Sequence, residues 1–306
     1  MAAPNDTLGD MFCSPGITVG LHGHLTFLSV LHSLLSVTTF LGNALILIAP
    51  HKESSLHPPS KFLLRSLATT DLCVGVFAEP LVVTYWVSMM NTRWVNICPY
   101  VIAATLMIPF NLFGVSVGTL TAISVDRLLA LLLGLRYKQV VTIKRTYVIA
   151  ITLWFLPAVF SAMYFWNPLI TFSYGIMSIP LCLITSIISY TKIFLTLRHH
   201  QHQVQDHVQQ PHQTNQLNIA RYQKAVFSAL WLQLTMVACY LPCGILTALC
   251  AKSGLSTSLY LAGIYAATLV YLNSSLNPIL YCWKIDEVRQ AVKDTIRHVL
   301  CFCFSS

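Results

Sequence analysis

A set of polar side chains interrupts long apolar stretches of the sequence, where an amide or a carboxylate is costly. One is a carboxylic acid in LATTDLCVG, and the others are amides and hydroxyls: Asp71, Asn43, Ser116, Asn273, Ser274 and Asn277. A buried amide that joins two helices is ordinary packing, whereas an ionisable group in such a segment is a functional hypothesis by default. Because these residues fall in four separate stretches, we expect one polar cluster that can hold a small cation and water.

Seven apolar stretches must position these side chains. Of the 306 residues, 56% are hydrophobic and 9% are charged, whereas a soluble domain carries about 25% charged residues. Apolar stretches of about 20 residues span a bilayer as helices, and the period-two alternation of a β-barrel is missing from this sequence. The stretches cover residues 25–49, 62–90, 99–125, 146–166, 172–191, 225–250 and 258–283. The sequence therefore predicts an all-α membrane protein with a seven-transmembrane helix bundle at 25–283.

The positions of lysine and arginine predict the orientation of this bundle. If residues 1–24 are extracellular, 16 of the 18 Lys and Arg residues fall on the cytoplasmic side, and only Arg93 and Lys252 fall outside. Such a split is typical of the positive-inside rule. We therefore expect a multi-pass plasma-membrane protein with an extracellular N-terminus, glycosylated at Asn5 in NDT. The formal charge of +8 follows from this topology and does not indicate nucleic-acid binding.

Two polar segments lie outside the predicted spans. Residues 198–223 are rich in His and Gln and are expected to form a flexible third cytoplasmic loop, with a metal-binding loop as the alternative. Residues 284–306 begin with apolar side chains at spacings of three and four among basic ones. This spacing predicts a short amphipathic helix on the inner membrane face. Beyond it, Cys301 and Cys303 are candidates for palmitoylation.

Few of the ten cysteines can form a disulfide. Five lie in apolar spans, where cysteine is ordinary packing, and two lie in the cytoplasmic tail. The extracellular side would hold only Cys13, Cys98 and Cys250. A disulfide would therefore join two of these three, and the sequence does not choose the pair.

Short motifs at the spans resemble one receptor family. They are LGN at 41–43, LATTD at 67–71, SVDR at 124–127, Trp154, CYLP at 239–242 and NPILY at 277–281. Their order resembles that of the rhodopsin-like (class A) G-protein-coupled receptors over essentially the whole chain. The short loop after the fourth span lacks cysteine, which resembles the melanocortin, adenosine and cannabinoid receptor group. The resemblance implies a non-enzymatic receptor that binds an extracellular ligand in the outer half of the bundle and activates a heterotrimeric G protein.

The resemblance also implies roles for particular residues. The polar cluster corresponds to an allosteric sodium site, with no other cofactor, at Asp71, Ser116, Asn273, Ser274 and Asn277. Coupling and activation correspond to Asp126, Arg127, Tyr190, Pro242, Asn277, Pro278 and Tyr281. Leu128 departs from the tyrosine that usually follows this arginine, and Arg127 could instead anchor the membrane interface by snorkelling.

The outer half of the bundle departs from several relatives in this family. Pro109 stands where aminergic receptors carry an aspartate, which disfavours a biogenic amine. Tyr271 stands where opsins carry the retinal-binding lysine, and Tyr240 replaces a common tryptophan. The expected ligand contacts are Glu79, Pro109, Phe110, Phe113, Tyr240, Thr247 and Tyr271, although aromatic side chains on helices also serve as packing. The sequence does not identify the ligand.

Two other classes of membrane protein compete with a receptor. The alternative with a similar polar cluster is a multi-span transporter with a midplane cation site, which typically carries inverted repeats; the two halves of this sequence have no visible similarity. A membrane-embedded hydrolase needs a nucleophile and a base at one depth, and the predicted spans contain no such arrangement. Nucleotide exchange on a G protein would separate a receptor from both.

Overall fold

Seven long helices dominate the structure and confirm the predicted bundle. The computed structural model describes residues 13, 20–49, 57–90, 98–206, 213–254 and 256–284, together with 289–290, 292–295 and 297. All regular elements within these residues are helical. Seven of them are long and apolar enough to cross a membrane.

The helices follow the predicted spans in order. They are α1 (His22–Ile48), α2 (Pro58–Met90), α3 (Cys98–Leu133), α4 (Ile143–Ala162), α5 (Pro168–Asp206), α6 (Gln213–Ser253) and α7 (Thr257–Lys284). Helix α2 contains a π-helical turn at Val74–Ala78. After α3 the chain makes a 3₁₀ turn at Gly134–Arg136 and a short helix at Tyr137–Val140. Another 3₁₀ turn, Met163–Phe165, follows α4.

The bundle places apolar side chains outside and polar side chains inside. Ile151 on α4 is 67% exposed and Met177 on α5 is 74% exposed, whereas Asn43 and Asp71 are fully buried. Lipid solvates the apolar surface, so burial of hydrocarbon contributes little between helices and close packing and polar contacts hold them together. This inverted arrangement is what brings the polar residues of different helices into contact.

Helix α3 lies at the centre of the bundle. It packs against α2, α4, α5 and α6, and α7 closes the ring between α6 and α1. Gly114 and Gly118 let α3 approach α4 closely: a Cβ atom at Gly114 would lie 2.9 Å from Cβ of Pro157. Small residues four apart commonly mark such close helix contacts in membranes.

The π-helical turn in α2 lies against α1. The Ser36 hydroxyl donates to the carbonyl oxygen of Gly75 at 2.7 Å. A Cβ atom at Gly75 would lie 3.0 Å from the backbone nitrogen of Phe40 and from the backbone oxygen of Ser36. Because π turns change the register of a helix and are frequent at functional sites, the segment that follows is positioned differently from a continuous α-helix. Glu79 begins that segment and packs toward α1.

The described residues of the predicted loop at 198–223 are helical, and the flexibility of this segment stays a prediction. Helix α5 continues to Asp206 and α6 begins at Gln213. Composition suggested disorder, but glutamine is a good helix former, so two helices can project beyond the apolar spans. Of the five histidines in this segment, only the side chain of His199 lies within the described part, and the metal-binding alternative therefore falls outside it.

The described residues after α7 are all helical. Val292 is buried in the inner apolar core, next to side chains of the bundle. Arg289, Lys293 and Arg297 are exposed. This separation of apolar and basic side chains agrees with an amphipathic helix packed against the bundle.

Candidate functional site

Asp71 lies at the centre of a buried polar cluster between α1, α2, α3 and α7. Its side chain is fully buried, and the Asn277 amide donates to Asp71 Oδ2 at 2.7 Å. The Asn43 amide on α1 donates to the backbone oxygens of Thr39 at 2.9 Å and Ser274 at 3.2 Å. The hydrogen bonds of these two side-chain amides thus join α2, which carries the acid, to α7, and they also join α1 to α7.

Several oxygen atoms in this cluster have no hydrogen-bond partner within the described part of the chain. They are Asp71 Oδ1, Asn43 Oδ1, Ser116 Oγ, Asn273 Oδ1 and Asn277 Oδ1. Buried polar atoms are normally satisfied by protein, water or an ion. A carboxylate together with neutral hydroxyl and amide oxygens is the donor set that hard cations take. Within the described residues, no group of three or more His, Cys, Asp or Glu side chains offers a transition-metal site instead.

Near the C-terminal end of α3, one carboxylate is held by three different groups. The Ser60 hydroxyl donates to Asp126 Oδ2 at 2.7 Å, and the Tyr137 hydroxyl donates to Oδ1 at 2.6 Å. Arg127 Nη2 lies 3.4 Å from Asp126 Oδ2. His57 packs on the Tyr137 ring, and burial there lowers the pKa of His57. The acid is therefore satisfied mainly by two hydroxyls, and its contact with Arg127 is longer than either of these hydrogen bonds.

Three of the predicted ligand contacts form an aromatic cluster across three helices. The Phe113 ring on α3 meets Tyr271 on α7 edge-on at 4.9 Å and Tyr240 on α6 edge-on at 6.2 Å between centroids. Edge-to-face pairs at such distances are favourable. Pro109, also on α3, is buried one turn away. This cluster, Phe113–Tyr240–Tyr271, connects the outer bundle to α6.

The remaining predicted ligand contacts lie elsewhere. Glu79 is fully buried and accepts a hydrogen bond from Thr39 on α1 at 3.3 Å. Phe110 points toward α5, where its ring lies 6.1 Å from that of Tyr174. Thr247 is exposed and donates to a backbone oxygen of its own helix at 2.8 Å. Phe110 and Thr247 have these contacts away from the aromatic cluster, whereas Glu79 is connected to Tyr271 through the ring of His32.

The other predicted activation residues lie on α5, α6 and α7. Tyr190 packs with Ile193 against Leu128, so the leucine that replaces the family's tyrosine joins an apolar contact between α3 and α5. Tyr281 is buried, and its hydroxyl has no hydrogen-bond partner in the described part of the chain. Pro242 and Pro278 lie inside α6 and α7.

The structure joins Cys13 to Cys98 in a disulfide. Cys250, the third candidate, is a free thiol. This bridge ties the N-terminal segment to the start of α3. The predicted modification sites Asn5, Cys301 and Cys303 lie outside the described residues.

Sequence reasoning missed several residues that the structure brings to these sites. Ser60 and Tyr137 hold Asp126, and His32 and Thr39 lie beside Glu79. The available signal was that His32 is a titratable side chain inside an apolar span. The partners of Asp126 carried no such signal, because Ser60 and Tyr137 lie in other elements of the chain.

Comparisons with known proteins agree with this geometry. Residues 42–169 match the family model described as the 7 transmembrane receptor (rhodopsin family). The chain is 26% identical to chicken (Gallus gallus) adenosine receptor A2b, over 89% of this chain and 88% of that receptor. It is 36% identical to the rat (Rattus norvegicus) adenosine receptor A2b, but over only 38% of this chain and 33% of that receptor. A human olfactory receptor, OR51C1, is 33% identical over 41% of this chain and 39% of the receptor. Together with seven helices that are long and apolar enough to cross a membrane, these matches support a rhodopsin-like seven-transmembrane G-protein-coupled receptor, near the adenosine receptor group.

Proposed function

We propose that this receptor binds an extracellular ligand in the outer half of its bundle and activates a heterotrimeric G protein through the cytoplasmic end of α3. The observation that carries the proposal is the arrangement around Asp126. Two hydroxyls satisfy the carboxylate, while Arg127 stands at 3.4 Å. Arg127 can therefore move from the acid to a G protein, because the buried Asp126 keeps its two hydroxyl partners.

Ligand binding would reach this end through the aromatic cluster. A ligand that displaces the Phe113 ring changes its contacts with Tyr240 on α6 and Tyr271 on α7. Helices α6 and α7 also carry the internal prolines Pro242 and Pro278, and prolines remove a backbone hydrogen bond and permit kinks. In this proposal the two helices move relative to α3 and open the cytoplasmic end.

We further propose that the Asp71 cluster binds sodium in the resting state. Asp71, Ser116, Asn273, Ser274 and Asn277 would supply oxygen atoms to the ion and its water, and the unsatisfied oxygens in the cluster support this. An ion that favours one of two states shifts their equilibrium by its differential affinity. Release of the ion would therefore accompany activation.

The test of the proposed function is nucleotide exchange on purified G proteins added to membranes that contain the receptor. Adenosine is the first ligand to assay, because two of the matched relatives are named as adenosine receptors. We expect ligand-dependent exchange that Arg127→Ala abolishes while ligand binding survives. Exchange that stays at the level of receptor-free membranes with every G-protein class, basally and across a ligand panel, would contradict the proposal.

The proposed topology places the receptor in the plasma membrane with its N-terminus outside. The Lys and Arg distribution supports it, and so does a disulfide at Cys13, since disulfides form in oxidising compartments. An enzyme that removes N-glycans should shift the gel mobility of the wild type but not of Asn5→Gln. Protease access to an N-terminal tag only from the cytosol would contradict this orientation.

A further inference from the structure

A second buried polar cluster lies between α1, α2 and α7, on the outer side of the Asp71 cluster. It contains an imidazole and a carboxylate, His32 and Glu79, both fully buried. His32 Nδ1 lies 3.8 Å from Glu79 Oε2. Asp71 is eight residues away along α2, which corresponds to about 12 Å of helix. The two acids therefore belong to separate sites.

The hydrogen bonds of Thr268 determine which ring nitrogen of His32 carries a proton. The Thr268 hydroxyl donates to the backbone oxygen of Ile264 at 2.8 Å, so its single proton is used there. Its oxygen lies 3.1 Å from His32 Nε2 and can only accept. This assignment of the hydroxyl proton places a hydrogen on Nε2, and in a neutral imidazole Nδ1 then presents a lone pair.

The carboxylate faces that nitrogen with a free oxygen. Glu79 Oε1 accepts a hydrogen bond from Thr39 at 3.3 Å, and Thr39 is in turn 2.5 Å from the Ser275 hydroxyl. Oε2 and His32 Nδ1 have no hydrogen-bond partner in the described part of the chain. Without a further proton, two acceptors would face each other at 3.8 Å in a buried space.

The number of protons decides whether this pair is charged as a whole. With no shared proton it carries one negative charge, and with two it carries one positive charge. Burial of one uncompensated ion costs several kcal/mol, whereas a single proton makes the pair neutral overall. We propose that His32 and Glu79 form a binding site for one proton, held jointly between Nδ1 and Oε2, that ties α1 to α2.

The surroundings of the pair agree with joint titration of these two groups. The His32 ring lies edge-on between Trp86 on α2 at 5.0 Å and Tyr271 on α7 at 4.9 Å. Tyr271 is the titratable group of α7 that faces Glu79, and the phenols Tyr85 and Tyr260 lie further out in the same core cluster. A phenol is neutral at physiological pH. The two coupled groups therefore titrate as one unit.

The proton site also positions a residue of the aromatic cluster. Tyr271 packs on the His32 ring on one side and on Phe113 on the other, each at 4.9 Å. Phe113 in turn contacts Tyr240 on α6. The protonation state of the pair is thus connected to the proposed ligand site by direct ring contacts. Proton binding by His32 and Glu79 does not depend on the proposed function.

The test compares the pH dependence of thermal unfolding for the wild type and Glu79→Gln, both in detergent and at fixed sodium. In the unfolded chain the histidine loses its proton above about pH 6.5 and the glutamate above about pH 4.3. The folded wild type keeps one proton above pH 7 and the unfolded chain keeps none. Stability therefore decreases as pH rises, by about tenfold in the unfolding constant per pH unit.

Glu79→Gln should remove this dependence while it preserves the contact. The glutamine NH₂ group can donate to Nδ1 in place of the shared proton, and it does not titrate. We expect the ratio of wild-type to variant unfolding constants to rise about tenfold per pH unit above pH 7. A constant ratio would overturn the proposal, as would a Glu79→Gln receptor that fails to fold, since the amide mimics the neutral pair.

A second comparison tests the pairing itself. His32→Leu should lower the unfolding temperature, because Glu79 is left without its base, and His32→Leu/Glu79→Leu should recover it, since a buried pair is commonly replaceable by apolar residues. A double variant that loses as much stability as His32→Leu alone, or more, would contradict the shared site. A stability that depends on sodium concentration and not on pH would place a metal cation between His32 Nδ1 and Glu79 Oε2. That result would also overturn the proposal.

Discussion

The charge pair near the C-terminal end of α3 can be broken by one isosteric change, Asp126→Asn. Arg127 Nη2 lies 3.4 Å from Asp126 Oδ2, while the hydroxyls of Ser60 and Tyr137 donate to the two carboxylate oxygens. An amide keeps one oxygen acceptor, and its NH₂ group can donate to a hydroxyl, because hydroxyls both donate and accept. The substitution therefore removes the charge and keeps the shape and the hydroxyl contacts.

The lost attraction can be calculated from the structure. Two unit charges 3.4 Å apart attract each other by about 5 kcal/mol at an effective dielectric constant of about 20. The side chains of Arg127 and Asp126 are 13% and 4% exposed, so desolvation offsets most of this. We therefore expect a net attraction of about 1–2 kcal/mol. This value lies between the contribution of an exposed ion pair and the stability lost when a buried pair is broken. If the pair holds only the resting state, its removal raises the active-to-resting ratio about 5–30-fold.

The assay is basal nucleotide exchange on a G protein in membranes, without ligand, normalised to receptor at the cell surface. We expect Asp126→Asn to increase the rate and Asp126→Asn/Arg127→Ala to abolish it. Ser60→Ala is the matched control, because it removes a hydroxyl contact and leaves both charges. A wild-type rate for Asp126→Asn, or an equal increase from Ser60→Ala, would refute the charge-pair reasoning.

Three further changes test the ion site, the helix packing and the disulfide. Asp71→Asn should abolish the sodium sensitivity of agonist affinity, which we expect at about 5–150-fold from typical allosteric coupling; radioligand competition with and without sodium measures it, and an unchanged sodium response would make the cluster structural. Gly114→Ala should lower thermal stability by about 1–3 kcal/mol, because its Cβ would lie 2.9 Å from a proline of α4, whereas the control Gly244→Ala has nothing within 4 Å of its Cβ; equal melting temperatures would contradict the close approach. Cys98→Ser should reduce surface expression through the loss of about 2–4 kcal/mol, and Cys250→Ser should not; flow cytometry of a tagged receptor decides between them, and equal losses would point to Cys250 as a bridge partner.

The sequence allowed the helices to be predicted more completely than their details. Long uncharged stretches leave the backbone no hydrogen-bonding alternative to a helix in lipid, so all seven spans could be predicted. The π-helical turn at Val74–Ala78 could not, because it depends on how closely Gly75 approaches α1, a contact between two separate stretches. The helical ends of α5 and α6 were missed because a polar composition was given more weight than helix propensity.

The site residues also include some that the sequence predicts and others that only the structure reveals. Asp71 and its amide and hydroxyl neighbours could be grouped from sequence, since polar residues in apolar spans must turn inward and meet. Which way Glu79 faces could not be predicted, because the π-helical turn before it changes the register of α2. Ser60 and Tyr137 were missed as partners of Asp126, since hydroxyl side chains are common and gain meaning only from contact in space.

The two buried carboxylates of α2 are neutralised in different ways, and this difference predicts different roles. Glu79 faces a fixed base, His32, so the proposed site needs only a proton and can stay neutral in every state of the receptor. The partner of Asp71 Oδ2 is the neutral amide of Asn277, and Oδ1 has no hydrogen-bond partner in the described part of the chain. An amide orients a carboxylate but does not cancel its charge, so Asp71 depends on a mobile cation or proton. Because only a mobile ion can be lost and regained, we propose that Asp71 responds to activation while His32 and Glu79 hold the outer ends of α1 and α2 together throughout.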